Sequence, residues 1–531
     1  MPDIFQIKTQ GIPGYIPDEY EQAALGIVNQ EKAEWDEEAV YVTDRVYYRM
    51  REVIKQARKY YFGVFDTPKD EITGEDKIWY PLTEYSVESV VKSVDLDTKD
   101  ILIQPGTPEA VGITPLIRAL VLNYLKKMGF GQLLNDVIRV CARDGTAVIK
   151  TVEKIDKRTG RKIFDSYIVN LENLWIDPAA RTMQESSVIE RAPMAESDIQ
   201  DMSDVWDNTQ FVNFSLSVPQ IPDTWGANKG KMPFTEVWER WGKIKKSWVT
   251  KDKKDDDIWI EGHIVASGLS GAQIIHKIRE NPRKDGIKPY EEVWYKRLDG
   301  RWYGRGVSEM LFGIQEYVNQ IVNTRKSNSL ILQNGIFLIR KGSGITPDMI
   351  SSLSAGGGIP VTDINRDVKQ LQTQDYRQSS YTDEDRARLL ADNVTGAHDI
   401  NRGEAGRASA SATATLTQDR NIRDTFVLIQ EGIGFFIERL ITRHYIPMLK
   451  QIVRAEDMVR ITGEPEVLSE IDEAIINLRR DDFINVEISK TGYYPEQGQV
   501  DEFIQAQAKF LKGMGKNRFV KYFRGMFDED I

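Results

Sequence analysis

The chain has 531 residues, 41% hydrophobic and 28% charged, the balance of a folded protein with room for a sizeable core. Its 81 acidic against 70 basic residues leave a formal charge of −11, which excludes the basic face of a tight, sequence-reading DNA binder. Cys141 is the only cysteine, so no intrachain disulfide forms, and no apolar run approaches the ~18 residues of a membrane span.

The opening Met1-Pro-Asp-Ile lacks the basic and apolar regions of a signal peptide, so folding in a reducing cytoplasm is expected. Residues 1–34 read as an arm, with Gly11, Pro13, Gly14 and Pro17 interrupting any regular element. A helix is expected over 37–62, on the stripe Val46, Tyr47, Met50, Val53, Ile54, Ala57, Tyr60 and Tyr61. Thr114-Pro115 is a helix start, an N-cap followed by Pro at the first helical position. That helix ends near Gly129, and a second over 132–143 carries Cys141 as a small buried hydrophobe. Asp144-Gly145 then turns the chain into a hairpin with strands over 147–152 and 162–169.

Residues 170–178 form a loop with apolar anchors Leu171, Leu174 and Trp175. A short acidic helix capped near Ser197 follows, and 210–233, with Pro219, Pro222 and Pro233, is a connector. From 235 to 276, short apolar runs around Trp238, Trp241, Trp248 and Trp259 read as strands. Lys251 to Asp257 is the solvated tip of a hairpin. Asp255, Asp256 and Asp257 point apart there and their lysine neighbours compete for them, which disfavours a metal site.

The helix opening at Val307 is unusual. Its apolar stripe is Val307, Met310, Leu311, Ile314, Val318, Ile321 and Val322, while its other faces carry Gln315, Asn319, Gln320, Asn323, Ser327, Asn328 and Ser329. Asn and Ser each cost roughly half a kcal/mol of helix propensity relative to Ala, so packing must hold such a helix. Two accounts compete: a helix wedged among copies of itself in a ring, or a single-domain helix with a polar face.

A strand over 335–340 comes next, then the run Ser351, Ser352, Leu353, Ser354, Ala355, Gly356, Gly357, Gly358, too rich in glycine to hold one conformation. A helix is expected over 382–398. The run Ala408 to Thr415 contains nothing larger than Thr and is either a linker or a helix start narrow enough for close packing. The stripe Leu416, Ile422, Phe426, Ile429, Ile433, Phe436, Ile437, Leu440 and Ile441 continues the helical period and favours a helix over 411–443, which Pro447 kinks or ends. His444 reads as a packed core residue. A strand over 483–488 and a last helix over 499–512 complete the chain.

Catalytic and cofactor motifs do not emerge. Gly513-Met-Gly-Lys516 lacks the offset glycine and the following Ser or Thr of a phosphate loop. Gly304-Arg-Gly306 does not complete a dinucleotide fingerprint. Gly268-Leu-Ser-Gly271 is one residue short of a nucleophile elbow. His263, His276, His398 and His444 show no ligand spacing. No reaction, cofactor or metal is assigned.

Several segments in order resemble portal proteins of tailed bacteriophages. Arg143-Asp-Gly-Thr-Ala-Val-Ile-Lys150 is similar to the family's helix–glycine–strand element, and Asn170 to Pro178 to the segment after it. Tyr303-Gly-Arg-Gly-Val-Ser-Glu-Met310 with Gln315, Asn319 and Asn323 is similar to its stem helix. Val394-Thr-Gly396, Arg402-Gly-Glu404 and Ala408 to Thr415 resemble the turn opening its long crown-proximal helix. The order over roughly 115–445 is the specific signal.

The resemblance implies a mixed α+β, predominantly helical, portal-type fold with wing, stem, clip and crown, assembled as a dodecameric ring around a DNA channel. Mapped on this chain, it implies an arm over 1–34, wing over 35–234, clip and clip-adjacent strands over 235–304, second stem helix over 305–334, wing strands and channel loop over 335–380, a long kinked helix over 381–454, and crown over 455–531. No first stem helix is evident before the strand region, which leaves the clip boundary open. It implies inter-subunit packing by Gln315, Asn319 and Asn323, a channel loop at Ser351–Gly358, and DNA contact by Arg340 and Lys341. Docking of a motor or adaptor falls to Trp248, Lys251, Lys253 and Lys254. Implied partners are the terminase large subunit, head-completion and tail adaptor proteins, major capsid and scaffolding proteins, and double-stranded DNA in transit. The implied place is the virion's unique capsid vertex. The alternatives are another head–tail collar or adaptor ring, a metal-dependent DNA-processing enzyme, and a helical scaffold.

Overall fold

The computed structural model describes residues 14–452, apart from interruptions of which 215–232, 350–362 and 396–411 are the longest, together with the strand Ile484–Ile488. The expected last helix over 499–512 lies outside the described residues. Helices and several sheets mix along the chain. They gather into two compact units, one from residues 1–56, 90–306 and 412–531, the other from 57–89 and 307–411.

The first unit is organised by two sheets. Five antiparallel strands lie in the order Ile274–Glu280, Trp259–Ser267, Phe234–Lys245, Val188–Ala195, Leu174–Ile176. Thus the region 235–304 is not self-contained: its strands extend a sheet begun at 174–195. Three further strands lie in the order Tyr290–Trp294, Thr146–Ile155, Lys162–Ile168, the last two being the expected hairpin.

The expectation of an irregular arm is corrected. Residues Glu19–Glu37 form a helix whose Ala24, Leu25 and Val28 enter the core with Trp175, Ile189, Trp238 and Ile264. The breakers at 11–17 precede it. Asp18 and Glu21 form a reciprocal capping box: Asp18 Oδ1 accepts the Glu21 amide at 2.7 Å and Glu21 Oε2 accepts the Asp18 amide at 3.2 Å. The helix expected over 37–62 is also shorter, Met50–Phe62, with two short paired strands before it.

Helices Thr114–Lys127 and Phe130–Asp144 stand where expected, and Cys141 is buried, with burial pushing its thiol pKa up. Gly145 ends the second helix in the left-handed region, φ 84°, its amide donating to the Cys141 carbonyl at 2.9 Å. There the backbone meets a second glycine pair: a Cβ on Gly145 would sit 2.6 Å from the Gly306 nitrogen and closer still to the Gly304 carbonyl. The Gly304 amide donates to Thr146 Oγ1 at 2.8 Å and the Tyr295 amide to the Gly145 carbonyl at 3.0 Å. Two of the family-like segments therefore touch through glycines that admit no side chain.

The long helix is Ala412–Arg439, burying Phe426, Ile433, Phe436 and Ile437. Pro447 does not end it. The helix passes through a π-helical turn, Leu440–Tyr445, into a further helix, Ile446–Ile452. His444 is fully buried there, as expected of a core histidine.

The second unit is built on two helices, Val307–Asn334 and Arg377–Thr395. Arg325, late in the first, pairs with Glu384, early in the second, at 2.7 Å and lies over the Tyr381 ring, so the helices run antiparallel. Between them in sequence lies a two-stranded sheet, Ile336–Ile339 with Val368–Leu371. Residues 57–89 complete the unit, Tyr60 meeting Phe312 edge-on and its hydroxyl donating to Glu316.

Candidate functional site

The amides of the helix Val307–Asn334 find their partners inside the chain, along residues 78–81 and the first turn of the helix Leu82–Val94. Gln315, fully buried, accepts from the Thr83 amide and hydroxyl, both at 2.9 Å, and donates to the Tyr80 carbonyl at 2.6 Å and Asn319 Oδ1 at 3.2 Å. Asn319 accepts from the Tyr80 amide at 3.0 Å. Asn323 accepts from the Ile78 amide at 2.7 Å and donates to the Ile78 carbonyl at 2.9 Å. Lys326 donates to the Asp76 carbonyl at 2.6 Å.

The spacing explains the sequence. Four helical residues rise roughly 6 Å, which two residues of extended chain at ~3.3 Å each nearly match. Carboxamides at 319 and 323 therefore meet the non-helical residues 78–80 in step, running antiparallel to them, while Gln315 takes an amide in the first turn of the helix Leu82–Val94. A carboxamide carries an N–H donor and a carbonyl acceptor side by side, so Asn and Gln can pair with a peptide group as another peptide would. These three side chains, expected to pack between subunits, hold a segment of their own chain. Sequence inspection missed this because 78–83 carries no periodic signal and lies more than 230 residues away.

The other expected sites fare differently. Ser351 to Gly358 lie outside the described residues. Arg340 and Lys341 are exposed directly after the strand Ile336–Ile339. Trp248 is 9% exposed and packs in the core cluster with Trp238 and the helix Glu19–Glu37. Lys251 and Lys253 are exposed but paired, with Asp18 at 2.8 Å and Glu19 at 3.5 Å, and Lys254 is exposed beside them. The aspartates of this tip are held too, Asp255 by Lys246 at 3.2 Å and Asp256 by Lys245 at 2.9 Å. Among the described residues, no group of three or more His, Cys, Asp or Glu is placed to hold a metal ion.

The buried charges of the first unit act as rivets between strands. Lys150 on Thr146–Ile155 donates to Glu190 at 2.6 Å and Glu239 at 2.5 Å, on two strands of the other sheet, and Tyr290 adds a bond to Glu190 at 2.7 Å. Burial opposes the charge on Lys150, but the facing carboxylates prevail and raise its pKa. Lys150 holds Glu239 down to about 2 against its desolvation. Such an ammonium stays protonated and is not a nucleophile. His263 stacks on Trp241 and accepts from Arg279 at 3.1 Å, and burial drops its pKa to about 3.

A cavity of about 660 Å³ opens beside this sheet, lined among others by Trp35, Trp259, Glu31, Arg240, Glu261 and Lys288. Two of its cations are held: Arg240 forks onto Glu31 through two bonds of 2.7 Å, and Lys288 donates to the Gln184 carbonyl at 2.6 Å. On the same wall Ser187 Oγ donates to Glu31 Oε1 at 2.9 Å, a carboxylate oxygen that Arg240 also holds. No family model matches this chain, and a search of curated proteins finds no match.

Proposed function

We propose that this chain is the repeating subunit of a portal-type ring, the conduit through which a tailed bacteriophage packages and releases its genome. The observation that carries the proposal is an apolar surface on the second unit. On the helix Arg377–Thr395, Leu389, Leu390 and Val394 are exposed, Leu389 to 61%, and Tyr317 on the companion helix is exposed by half. Water-facing leucines on a helix pair mark a contact with another protein. With the carboxamides paired inside the chain, the seam between copies falls to these side chains.

In this account the antiparallel helices Val307–Asn334 and Arg377–Thr395 are the two stem helices, so the partner missing from the sequence follows the amide helix rather than preceding it. The two-stranded sheet Ile336–Ile339 with Val368–Leu371, between the two helices in sequence, then becomes the docking element for the terminase motor and later for adaptors. The Gly145–Gly304–Gly306 junction brings the segments 143–150 and 303–310, both of which resemble the portal pattern, into one contact. The function is positional. An acidic ring makes few counterion-releasing contacts with phosphate, so DNA slides. Arg340 and Lys341 supply local friction, and Lys341→Ala should change packaging or ejection rate.

The assembly is tested by replacing Leu389 and Leu390 with Asp and following particle size and monomer folding together. Loss of the large species with an intact monomer is expected. An unchanged large species would reject this seam.

A further inference from the structure

We propose that Arg283 is a removable latch on the π turn Leu440–Tyr445, and that protonation of His444 releases it. The need for a latch comes from Pro447. In a continuous helix the amide of residue 447 would serve the Arg443 carbonyl four residues earlier, and proline has no amide hydrogen. Arg283, from the loop after the strand Ile274–Glu280, replaces it: Nη2 donates to the Arg443 carbonyl at 2.6 Å. Asp285 aims the guanidinium, taking Nε at 3.0 Å and Nη2 at 2.5 Å.

The same guanidinium is tied to the imidazole beside it. Arg283 Nη1 donates to His444 Nδ1 at 3.3 Å, and His444 Nε2 donates to Glu291 Oε1 at 3.3 Å. Glu291 also receives Arg439 at 3.1 Å and Arg443 at 3.2 Å. The groups facing His444 are therefore Glu291 on its strand, Arg283 with Asp285 behind it, and Arg443 on its own turn. Nδ1 serves Arg283 only while it lacks a proton. A proton there sets an N–H against the guanidinium, donor against donor and cation against cation. Arg283 then withdraws onto Asp285, and the Arg443 carbonyl loses its donor.

The consequence follows from the geometry of the turn. A π turn holds one residue more than an α turn and is a weak point in the ladder. Resolving it into α geometry re-registers the preceding helix against the following one by one residue, roughly 100° and 1.5 Å. The latch thus couples the register of the helix Ala412–Arg439 to one buried imidazole. Burial lowers the His444 pKa while Glu291 raises it, so the response belongs to acid conditions.

Hydrogen exchange on the full chain, at pH 7.5 and 5.5 and corrected for intrinsic rates, tests the latch. Amides over 440–449 should lose protection at pH 5.5. Arg283→Ala should lower their protection roughly fivefold at pH 7.5, the effect of losing one hydrogen bond from a charged donor. Pro447→Ala restores the missing amide and should make Arg283→Ala nearly silent. His444→Asn keeps an acceptor toward Arg283 but takes no proton, and should keep protection at both pH values. The strand Trp259–Ser267 is the internal reference for global unfolding. Should His444→Asn loosen that strand too, the Arg283→Ala and Pro447→Ala pair decides at neutral pH. Unchanged protection over 440–449 in Arg283→Ala, or an effect that Pro447→Ala does not rescue, would overturn the latch, and an acid response surviving in a folded His444→Asn would overturn the role of the imidazole.

Discussion

Asn323 holds Ile78 as one peptide group holds another, taking its amide at 2.7 Å and giving to its carbonyl at 2.9 Å. Asn319 and Gln315 share the next peptide groups between them: Asn319 takes the Tyr80 amide, and Gln315 gives to the Tyr80 carbonyl and takes the Thr83 amide and hydroxyl.

The ladder has graded strengths. Gln315→Leu leaves the buried Thr83 amide without this acceptor and takes one of two donors from the Tyr80 carbonyl, and should lower stability by roughly 2 kcal/mol. Asn323→Ala, at a half-exposed position where water substitutes, should cost about 1 kcal/mol. Chemical denaturation of both variants checks the order. Equal losses would mean that side-chain packing, rather than the hydrogen bonds, holds the segment.

The glycine junction tolerates nothing larger. Gly145→Ala combines a left-handed backbone with a collision against the Gly304 and Gly306 backbone, and should cost more than about 3 kcal/mol. Gly300→Ala, also at positive φ but with open space around it, should cost far less. Thermal unfolding of the two distinguishes backbone strain from collision.

Acid should weaken the fold before its carboxylates titrate. His263, His276 and His444 are buried with lowered pKa values, that of His263 at about 3, so the folded chain takes up fewer protons than the unfolded one. Their contribution is full above the unfolded value of roughly 6.5 and is lost as pH falls below it. Glu292, raised to about 7 by burial and the neighbouring Glu291, acts in the opposite sense, but it is one group against three. Glu239, held at about 2, loses its contribution only at lower pH, below roughly 4.5. Denaturation midpoints should therefore drop between pH 6.5 and 4.5, and His263→Asn, which keeps an acceptor for Arg279, should flatten the drop. A flat profile in the parent protein would contradict this.

Much of the fold was legible in the residues. The Thr114-Pro115 start, the Asp144-Gly145 turn, the hairpin after it and the buried Cys141 all follow from local chemistry, which acts within a few residues. The helix Glu19–Glu37 was hidden by the prolines and glycines ahead of it, although Asp18 and Glu21 spell a capping box. The amide face of the helix Val307–Asn334 was correctly seen to need a close polar neighbour. That the neighbour is the chain's own segment 78–83 depends on long-range folding, which no periodicity encodes. Trp248, a docking residue by resemblance, is turned inward by the short helical turn Ser247–Thr250, which no local pattern announces. The π turn had no local signal beyond Pro447, since its partner Arg283 lies 160 residues earlier.

A seam made by exposed leucines should break selectively. Leu389→Asp with Leu390→Asp should abolish assembly while leaving the unfolding midpoint of the monomer within about 0.5 kcal/mol, as surface changes do. A large loss of monomer stability would place these side chains in an internal contact instead.

The central claim is most directly tested by the mass and symmetry of the purified particle. Twelve copies of the 60.8 kDa chain weigh about 730 kDa, and native mass measurement with electron-microscopic class averages should show that mass and a twelvefold ring around an open channel. A chain that remains at 60.8 kDa at high concentration, with no ring in the images, would contradict the account.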